Sequence, residues 1–289
     1  MPNVSDVIAI RGFRQALILL LTLPVLLAAA GCASRPPAED KEARASYDEA
    51  NDPFEPINRY FFEVNLGLDK LLLRPVAHIY KDATPQLVQD GVRNFTRNLE
   101  EPTTFINDLL QAEPARAGST FGRFTGNTLF GVGGFAAPVT CEGGDKGCIP
   151  HHGEDFGQTM AVYGVPAGPY LMLPVLGPHS TRHAVGRAVD SVIDPVGLAM
   201  DSDFRRGFTI GTNIAKAIDF RARNFDSLDE IERDSIDFYA TVRSLYRQRR
   251  AKAISNGQVD ETADIPRISL LDEDNEPERE TGAAPARND

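Results

Sequence analysis

The sequence lacks tryptophan, has only three cysteines and carries no excess of positive charge. Its 30 Lys and Arg residues are outnumbered by 41 Asp and Glu residues, which gives a formal net charge of −11 at pH 7. Proteins that bind nucleic acid need a basic surface, because contacts to phosphate supply much of their affinity. We therefore expect no nucleic-acid partner.

Recognisable catalytic motifs are also missing. The sequence contains no G-x-S-x-G elbow, no H-E-x-x-H pair and no phosphate-binding glycine loop before lysine. A hydrolytic triad could be drawn from His179, Ser180, His183 and Asp190, but nothing marks Ser180 as activated. We therefore expect no enzymatic activity, no catalytic or metal site and no cofactor.

Long hydrophobic runs are scarce, and the clearest one lies near the N-terminus. It extends from Ala16 to Ala30 and is too short to span a bilayer. Arg11 and Arg14 precede it, and small residues lead from it directly to Cys32. This layout predicts a secretory signal peptide over residues 1–31.

The residues Ala29-Ala30-Gly31-Cys32 resemble a bacterial lipobox. The resemblance implies that Cys32 becomes the lipidated first residue of the mature protein and that its acyl chains hold the protein on a membrane. The alternative is an ordinary cleaved signal followed by an incidental cysteine. Ala33 follows, so an Asp that would resemble an inner-membrane retention signal is absent.

Cys141 and Cys148 remain after Cys32, and they flank a glycine-rich segment. In an exported protein, an even pair of cysteines at short spacing favours a disulfide. Two alternatives stay open. The cysteines are free thiols, or they belong to a zinc site in which His151 and His152 supply further ligands.

Composition divides the mature chain into three parts. Residues 32–50 are rich in Ala, Pro, Lys and Glu, which is typical of a flexible tether. Residues 51–250 have a length that suits one folded domain. Residues 251–289 are acidic and poor in aromatic residues, so we expect a disordered tail there.

The 51–250 domain is predicted to be mainly α-helical, with little or no β structure. Asp52 is expected to cap the first helix. Proline recurs at the expected corners between helices, because the residue before proline is pushed out of the helical region. These corners are Thr84-Pro85, Glu101-Pro102 and Glu113-Pro114.

The second half of the domain has a different pattern. Residues 131–177 are rich in glycine, which predicts loops with one short hairpin. Residues 179–191 are predicted to be helical. Ser227 and Glu230 form a capping box for a last helix, which we expect to continue to the arginines at 247–250.

Arginine and phenylalanine leave two questions open. Five arginines lie among aromatic positions, where they either pair with carboxylates or bind phosphate groups: Arg59, Arg74, Arg93, Arg97 and Arg123. Phenylalanine is concentrated between Phe54 and Phe135. These rings either fill an ordinary core or place apolar helix faces in a bilayer leaflet.

Motifs spread over residues 52–250 resemble those of the MlaA/VacJ family of outer-membrane lipoproteins. The longest are Asp52-Pro53-Phe54-Glu55-Pro56-Ile57-Asn58-Arg59 and Asn94-Phe95-Thr96-Arg97-Asn98-Leu99-Glu100-Glu101-Pro102. Others are Arg74-Pro75-Val76-Ala77, Gly131-Val132-Gly133-Gly134-Phe135, Glu154-Asp155-Phe156-Gly157-Gln158-Thr159, Gly168-Pro169-Tyr170 and Asp194-Pro195. They follow one order without large gaps and are jointly very specific.

The resemblance implies a ring of short amphipathic helices around a central channel, lying in the inner leaflet of the outer membrane and facing the periplasm. It implies that phospholipids misplaced in the outer leaflet are removed and handed to a periplasmic lipid-binding carrier. Such retrograde phospholipid transport maintains lipid asymmetry. The resemblance also implies association with a trimeric outer-membrane porin, and neither cofactor nor bond chemistry.

Four asparagines are our candidates for the channel lining: Asn65, Asn94, Asn98 and Asn127. Each is a polar residue in an otherwise apolar helix. The alternative for each is a local backbone hydrogen bond or a helix cap.

Two other functions stay open for the chain. One is a structural, porin-associated envelope lipoprotein without a lipid path. The other is a lipid hydrolase that uses Ser180 and His183.

Overall fold

The structure is a computed structural model that describes residues 51–141 and 147–257. The signal peptide, Cys32, the tether and residues 258–289 of the tail lie outside the described residues. The predictions for those segments, including the lipidation of Cys32, stay predictions.

The described chain is mainly helical, as predicted. Its helices in chain order are α1 (Glu55–Leu68), α2 (Arg74–Ala83), α3 (Gln86–Leu110), α4 (Pro114–Phe130), α5 (Phe156–Val162), α6 (Thr181–Ile193), α7 (Pro195–Leu198), α8 (Ser202–Arg223), α9 (Phe225–Asp234) and α10 (Phe238–Ile254). A π-helical turn, Asp69–Leu73, joins α1 to α2. Within the described ranges, no helix combines the length and apolar character that crossing a membrane requires.

The β structure consists of short strands in the glycine-rich region. Strands β1 (Thr140–Cys141) and β2 (Ile149–Pro150) pair in parallel, and β3 (Tyr170–Leu173) and β4 (Gly177–Ser180) form an antiparallel hairpin. The predicted hairpin is therefore confirmed. Helix α5 lies between the two strand pairs, where the glycine content predicted only loop.

Two of the predicted proline corners are confirmed, and one is wrong. Helix α2 ends before Thr84-Pro85, and α4 begins at Pro114. Pro102, however, lies inside α3. Proline removes one hydrogen bond and crowds the preceding turn, so tertiary contacts must hold this helix together. The contacts of Glu101, the residue before the proline, supply that constraint and are described below.

Asp52 does not cap α1, contrary to the prediction. Its carboxylate is buried and accepts hydrogen bonds from Asn58 Nδ2 at 2.7 Å, from Arg243 Nη1 at 2.8 Å and from the Tyr239 hydroxyl. Asp52 therefore fastens α1 to α10 instead of satisfying the first turn of a helix.

The predicted last helix is two helices, α9 and α10. Ser227 lies inside α9 rather than at its start. The break follows because Asp237 caps α10, accepting from the Ala240 N–H at 3.1 Å, while the Arg59 guanidinium holds its carboxylate.

The apolar core is small and lies where α1, the hairpin and α10 meet. It is built on Phe62, Tyr170, Met172 and Tyr239. Phe62 meets the Tyr239 ring edge-to-face at 5.5 Å between centroids. Much of the remaining interior is polar.

Candidate functional site

The described residues bury polar side chains and expose large hydrophobic ones. Eight apolar residues are buried, compared with twenty polar or charged residues. The exposed hydrophobic side chains include Leu87 at 84%, Phe130 at 78% and Leu71 at 77%. A water-soluble domain keeps charged residues out of its interior and exposes few contiguous apolar patches. The described residues therefore combine a largely polar interior with many exposed apolar side chains.

Helix α3 shows the inversion most clearly. Its buried residues are Gln89, Gly91, Thr96, Asn98, Glu101, Thr104, Asn107 and Asp108. Leu87, Val88, Leu109 and Leu110 of the same helix are exposed. The apolar stripe that the sequence suggests as a core face is thus turned outward, and the polar face packs inward.

Arg123 of α4 lies at the centre of the buried polar face and is fully shielded from solvent. Its Nε and Nη2 donate to the two oxygens of Glu101 at 2.9 and 2.7 Å, and its Nη1 donates to the Pro150 carbonyl at 2.8 Å. Burial alone would raise the pKa of Glu101, but hydrogen bonds from His151 and Arg123 outweigh it and hold the pKa below its usual value. This ion pair joins α3, α4 and β2.

Asp108 lies on the same face of α3 and accepts a 2.6 Å hydrogen bond from the Thr120 hydroxyl. His152 Nε2 lies 3.1 Å from that hydroxyl and 3.2 Å from Asp108 Oδ2. In a hydrolytic triad, the histidine uses one ring nitrogen for the nucleophile and the other for the acid. Here a single nitrogen faces both partners, so the geometry positions the chain after β2 and does not relay a proton.

Glu154 completes this buried polar cluster, which we define as Glu101, Asp108, Gln111, Arg116, Thr120, Arg123, His152 and Glu154. Gln111 Nε2 and Arg116 Nη2 donate to Glu154 at 3.0 and 2.6 Å. Burial is the larger effect, and it raises the pKa of Glu154 despite both partners. The cluster fastens α3 and α4 to the segment that enters α5.

A second polar group joins the hairpin to α6 and α10. The rings of His179 and His183 stack with centroids 4.4 Å apart, and Arg250 donates to both oxygens of Asp155 at 2.5 and 3.0 Å. Burial, reinforced by the positive charge of Arg250, lowers the pKa of His183 to about 4.

The suggested pair of Ser180 and His183 does not have hydrolytic geometry. The Ser180 hydroxyl oxygen accepts the backbone N–H of His183 at 3.2 Å and so caps α6. The His183 ring points Nδ1 at the Tyr246 hydroxyl, 3.1 Å away. The serine therefore has a structural role at the start of a helix.

Asn65 holds the turn of the hairpin. Its Nδ2 donates to the Leu173 carbonyl at 2.9 Å, and its Oδ1 accepts from the Val175 N–H at 2.7 Å. Val175 has φ 67°, a conformation that is strained for a β-branched residue, so this clamp stabilises an unfavourable turn.

The other three candidate asparagines lie along α3 and α4, where two of them hold the segment that follows α4 and Asn98 joins the two helices. Asn94 donates to the Phe135 carbonyl at 3.3 Å and Asn127 to the Thr140 hydroxyl at 2.7 Å. Asn98 donates to Thr128 at 2.9 Å, and its Oδ1 is buried without a partner. The structure brings these three to one region and leaves Asn65 apart, and the channel-lining role of all four stays a prediction.

Cys141 and Cys148 form a disulfide, with their Cα atoms 5.6 Å apart. It links β1 to the residue before β2, close to the Pro150 carbonyl that Arg123 binds. No group of three or more His, Cys, Asp or Glu side chains within residues 51–141 and 147–257 is placed to hold a metal ion.

Four of the five arginines whose role the sequence left open pair with carboxylates. Arg59 binds Asp237 at 2.5 Å, and Arg74 binds Glu232 at 2.6 Å. Arg93 lies 3.7 Å from Asp90, and Arg123 has already been described. The carboxylate interpretation is confirmed for these four.

Sequence reasoning missed the buried polar cluster, although a signal for it exists. Glu101, Thr104, Asp108 and Gln111 recur at spacings of three and four, which places them on one face of a helix. Such a polar stripe is ordinarily assigned to solvent. Only the neighbouring elements reveal that it is buried.

Comparison with known proteins agrees with this architecture. Residues 50–253 match the family model described as MlaA lipoprotein. Proteins of Shigella flexneri and Escherichia coli (strain K12) are each 33% identical over 246 residues, covering 84% of this chain and 91% of theirs. Both are named "Intermembrane phospholipid transport system lipoprotein MlaA", as is a Haemophilus influenzae protein that is 29% identical over 257 residues, covering 88% of this chain and 97% of its own.

A solved structure described as "Structural basis for maintenance of bacterial outer membrane lipid asymmetry" is similar in fold. It superposes with a TM-score of 0.62 at 33% identity and covers 70% of this chain and 98% of its own. The motifs, the helical architecture and the matched length together establish that this chain belongs to the MlaA lipoprotein family.

Proposed function

We propose that this protein removes phospholipids misplaced in the outer leaflet of the outer membrane and hands them to a periplasmic lipid-binding carrier. The names of its relatives assign those proteins to an intermembrane phospholipid transport system. The description of the similar solved structure refers to outer-membrane lipid asymmetry. Both support phospholipid as the cargo.

The main structural support for the proposal is the distribution of polarity, in which many apolar side chains are exposed and many polar side chains are buried. Exposed side chains such as Leu72, Ile79 and Phe130 gain free energy in hydrocarbon, at about 25 cal/mol per Å² of apolar area removed from water. A buried polar interior can accommodate the headgroup of a lipid that leaves its leaflet. A molecule with both features is suited to lie in one leaflet and conduct an amphiphile.

The finer parts of the proposal concern position and partners. The helices form a ring around a central channel in the inner leaflet, with Asn65, Asn94, Asn98 and Asn127 as its lining candidates. Acyl chains on Cys32 deliver the protein to the outer membrane, and a trimeric porin holds it in place. Transport then needs no cofactor and no bond chemistry.

Cells that lack the gene provide the test. Phospholipid amino groups on the surface of intact cells are labelled with a membrane-impermeant reagent and quantified. We expect surplus labelling in the deletion strain and its return to the parental level when the wild-type gene is restored. If the wild-type gene does not lower the surplus, the transport proposal is wrong.

A pair of variants separates a lipid path from a structural role. Asn94→Trp adds bulk at the candidate lining, and Ile210→Trp adds it at an exposed apolar position of α8. We expect Asn94→Trp to leave the surplus and Ile210→Trp to remove it, with both proteins folded and bound to porin. Full activity of folded Asn94→Trp would remove Asn94 from the lining and favour the structural alternative.

A further inference from the structure

An apolar groove lies between α3, α4 and the start of α7. It encloses about 320 Å³, and its apolar walls are Pro102, Phe105, Ile106, Phe121, Phe124 and Pro195. The rings of Phe105 and Phe121 contact each other at its wall, with centroids 6.0 Å apart. The internal proline of α3 thus forms part of the groove wall.

The one charged residue at this groove turns its charge away. Glu101 borders the groove but is only 2% exposed, and Arg123 binds both of its carboxylate oxygens from the interior. The groove therefore offers carbon surface alone, backed by an ion pair that is already satisfied.

The lining restricts what the groove can hold. A peptide would bring backbone N–H and C=O groups that find no partner on these walls, and each unpaired group would cost free energy. A headgroup would meet the same penalty. A hydrocarbon chain has no polar atoms to satisfy and gains from burial.

The size and position of the groove further restrict which molecule can occupy it. Pockets for drug-sized ligands span roughly 300–1,000 Å³, so this groove is at the lower end and suits one chain instead of a whole diacyl lipid. Phe121 lines the groove and is 58% exposed, which opens the groove towards the apolar exterior of α3 and α4.

We propose that this groove holds one acyl chain of a phospholipid during its passage through the protein. The inference rests on the proposed function, which brings phospholipids to the molecule. The second chain stays in the surrounding leaflet, and the groove delays the lipid at α3 and α4 while its headgroup moves.

Photocrosslinking tests this site directly. The full-length lipoprotein is purified in detergent and mixed with phosphatidylethanolamine that carries a diazirine on one acyl chain. We expect adducts, located by mass spectrometry, to concentrate on peptides that contain residues 102–106 and 121–124. Unlabelled phosphatidylethanolamine should compete with them.

Two matched variants sharpen the test. Phe121→Gln places a polar group in the groove wall, whereas Phe204→Gln makes the same change on α8 at a similar exposure, 62% against 58%. We expect Phe121→Gln to lower the groove adducts about five-fold, or about 1 kcal/mol at 1.4 kcal/mol per factor of ten. Phe204→Gln should leave them unchanged. Ile106→Trp, which fills the groove, serves as a second variant with the same expected loss.

Three results would overturn the site. These are adducts spread evenly over the exposed apolar residues, an equal loss in Phe204→Gln, or groove adducts that form only when Cys32→Ser removes the protein's own acyl chains. The assay contains no outer membrane, so it fails separately from the transport proposal. Restored asymmetry without groove adducts overturns the groove alone, whereas groove adducts without restored asymmetry support the groove and overturn transport.

Discussion

Arg123 shows how this molecule keeps a charge away from solvent. Its shortest hydrogen bonds go to Glu101 on α3 and to the Pro150 carbonyl on β2. A buried ion pair adds little stability over a well-packed apolar pair, but removing one partner leaves an uncompensated charge. The pair therefore adds little net stability while intact, but the loss of one partner destabilises the fold.

Arg123→Met is expected to lower the free energy of unfolding by about 3–5 kcal/mol, because the buried Glu101 carboxylate loses both bonds from the guanidinium and keeps only His151 as a partner. Arg59→Met, at a half-exposed pair with Asp237, should cost about 0–1 kcal/mol. Thermal unfolding in detergent, followed by circular dichroism, measures both. The double variant Arg123→Met/Glu101→Leu should recover much of the loss, and equal effects of the two single variants would contradict this view.

His183 gives the stability a predictable pH dependence. Its pKa is about 4 in the folded protein, against an ordinary value of 6.5, because it is buried near Arg250, His179 and Arg187, with Asp155 opposing the shift. Between these two values the unfolded chain binds a proton that the folded chain does not. Stability is therefore retained above pH 6.5 and falls as the pH is lowered towards 4.

Replacing the titrating ring should flatten this dependence. We expect the melting temperature of His183→Gln to fall less than that of the wild type over the same acidification. Melting curves collected across this range measure the slope. A variant slope as steep as the wild-type slope would assign the acid sensitivity to other groups.

At the scale of elements, the hairpin depends on the side chain of one helix. Asn65→Leu removes both hydrogen bonds to the turn and should destabilise it by about 1–3 kcal/mol. Hydrogen exchange should then accelerate at Leu173 and Val175. Asn94→Leu, which loses one 3.3 Å bond in another loop, is the control and should leave the hairpin protected.

The Cys141–Cys148 disulfide is a second feature that stabilises the arrangement of the elements. Closing so short a loop is expected to contribute about 2–3 kcal/mol through the restricted unfolded chain. Cys141→Ser/Cys148→Ser should melt earlier by the corresponding amount, and reductant should shift the wild type in the same direction. An unchanged melting curve after complete reduction would show that β1 and β2 hold without the bond.

Local signals predicted the elements well and failed where distant contacts intervene. Pro114 starts α4, as predicted, by a rule that depends only on nearby residues. Pro102 does not end α3, because Arg123 of α4 holds Glu101, the residue before the proline. The break before α10 was missed because Arg59, remote in sequence, holds Asp237. For the same reason, the sequence could not predict that the polar face of α3 is buried. Periodicity shows that polar residues share one face of a helix, but not whether that face meets solvent or other elements.

At the scale of the whole molecule, the inversion of polarity is the main property. Exposed hydrophobic residues occur from α1 to α8, while carboxylates, amides and guanidinium groups lie inside. Family membership could be predicted from the motifs because they are long and ordered. The site within the fold could not, since its cluster and groove form from segments far apart in sequence.

The absence of tryptophan makes the central claim directly measurable. A single Trp is introduced at Phe130 or Leu72, both exposed apolar positions, or at Arg233, an exposed polar position on α9. Each protein is reconstituted into bilayers whose phospholipids carry bromine on their acyl chains, and quenching of Trp fluorescence is recorded. If the molecule lies in a leaflet with its exposed apolar side chains in the hydrocarbon, quenching should be strong for Phe130→Trp and Leu72→Trp. Quenching should be weak for Arg233→Trp. Weak quenching at all three positions would contradict it.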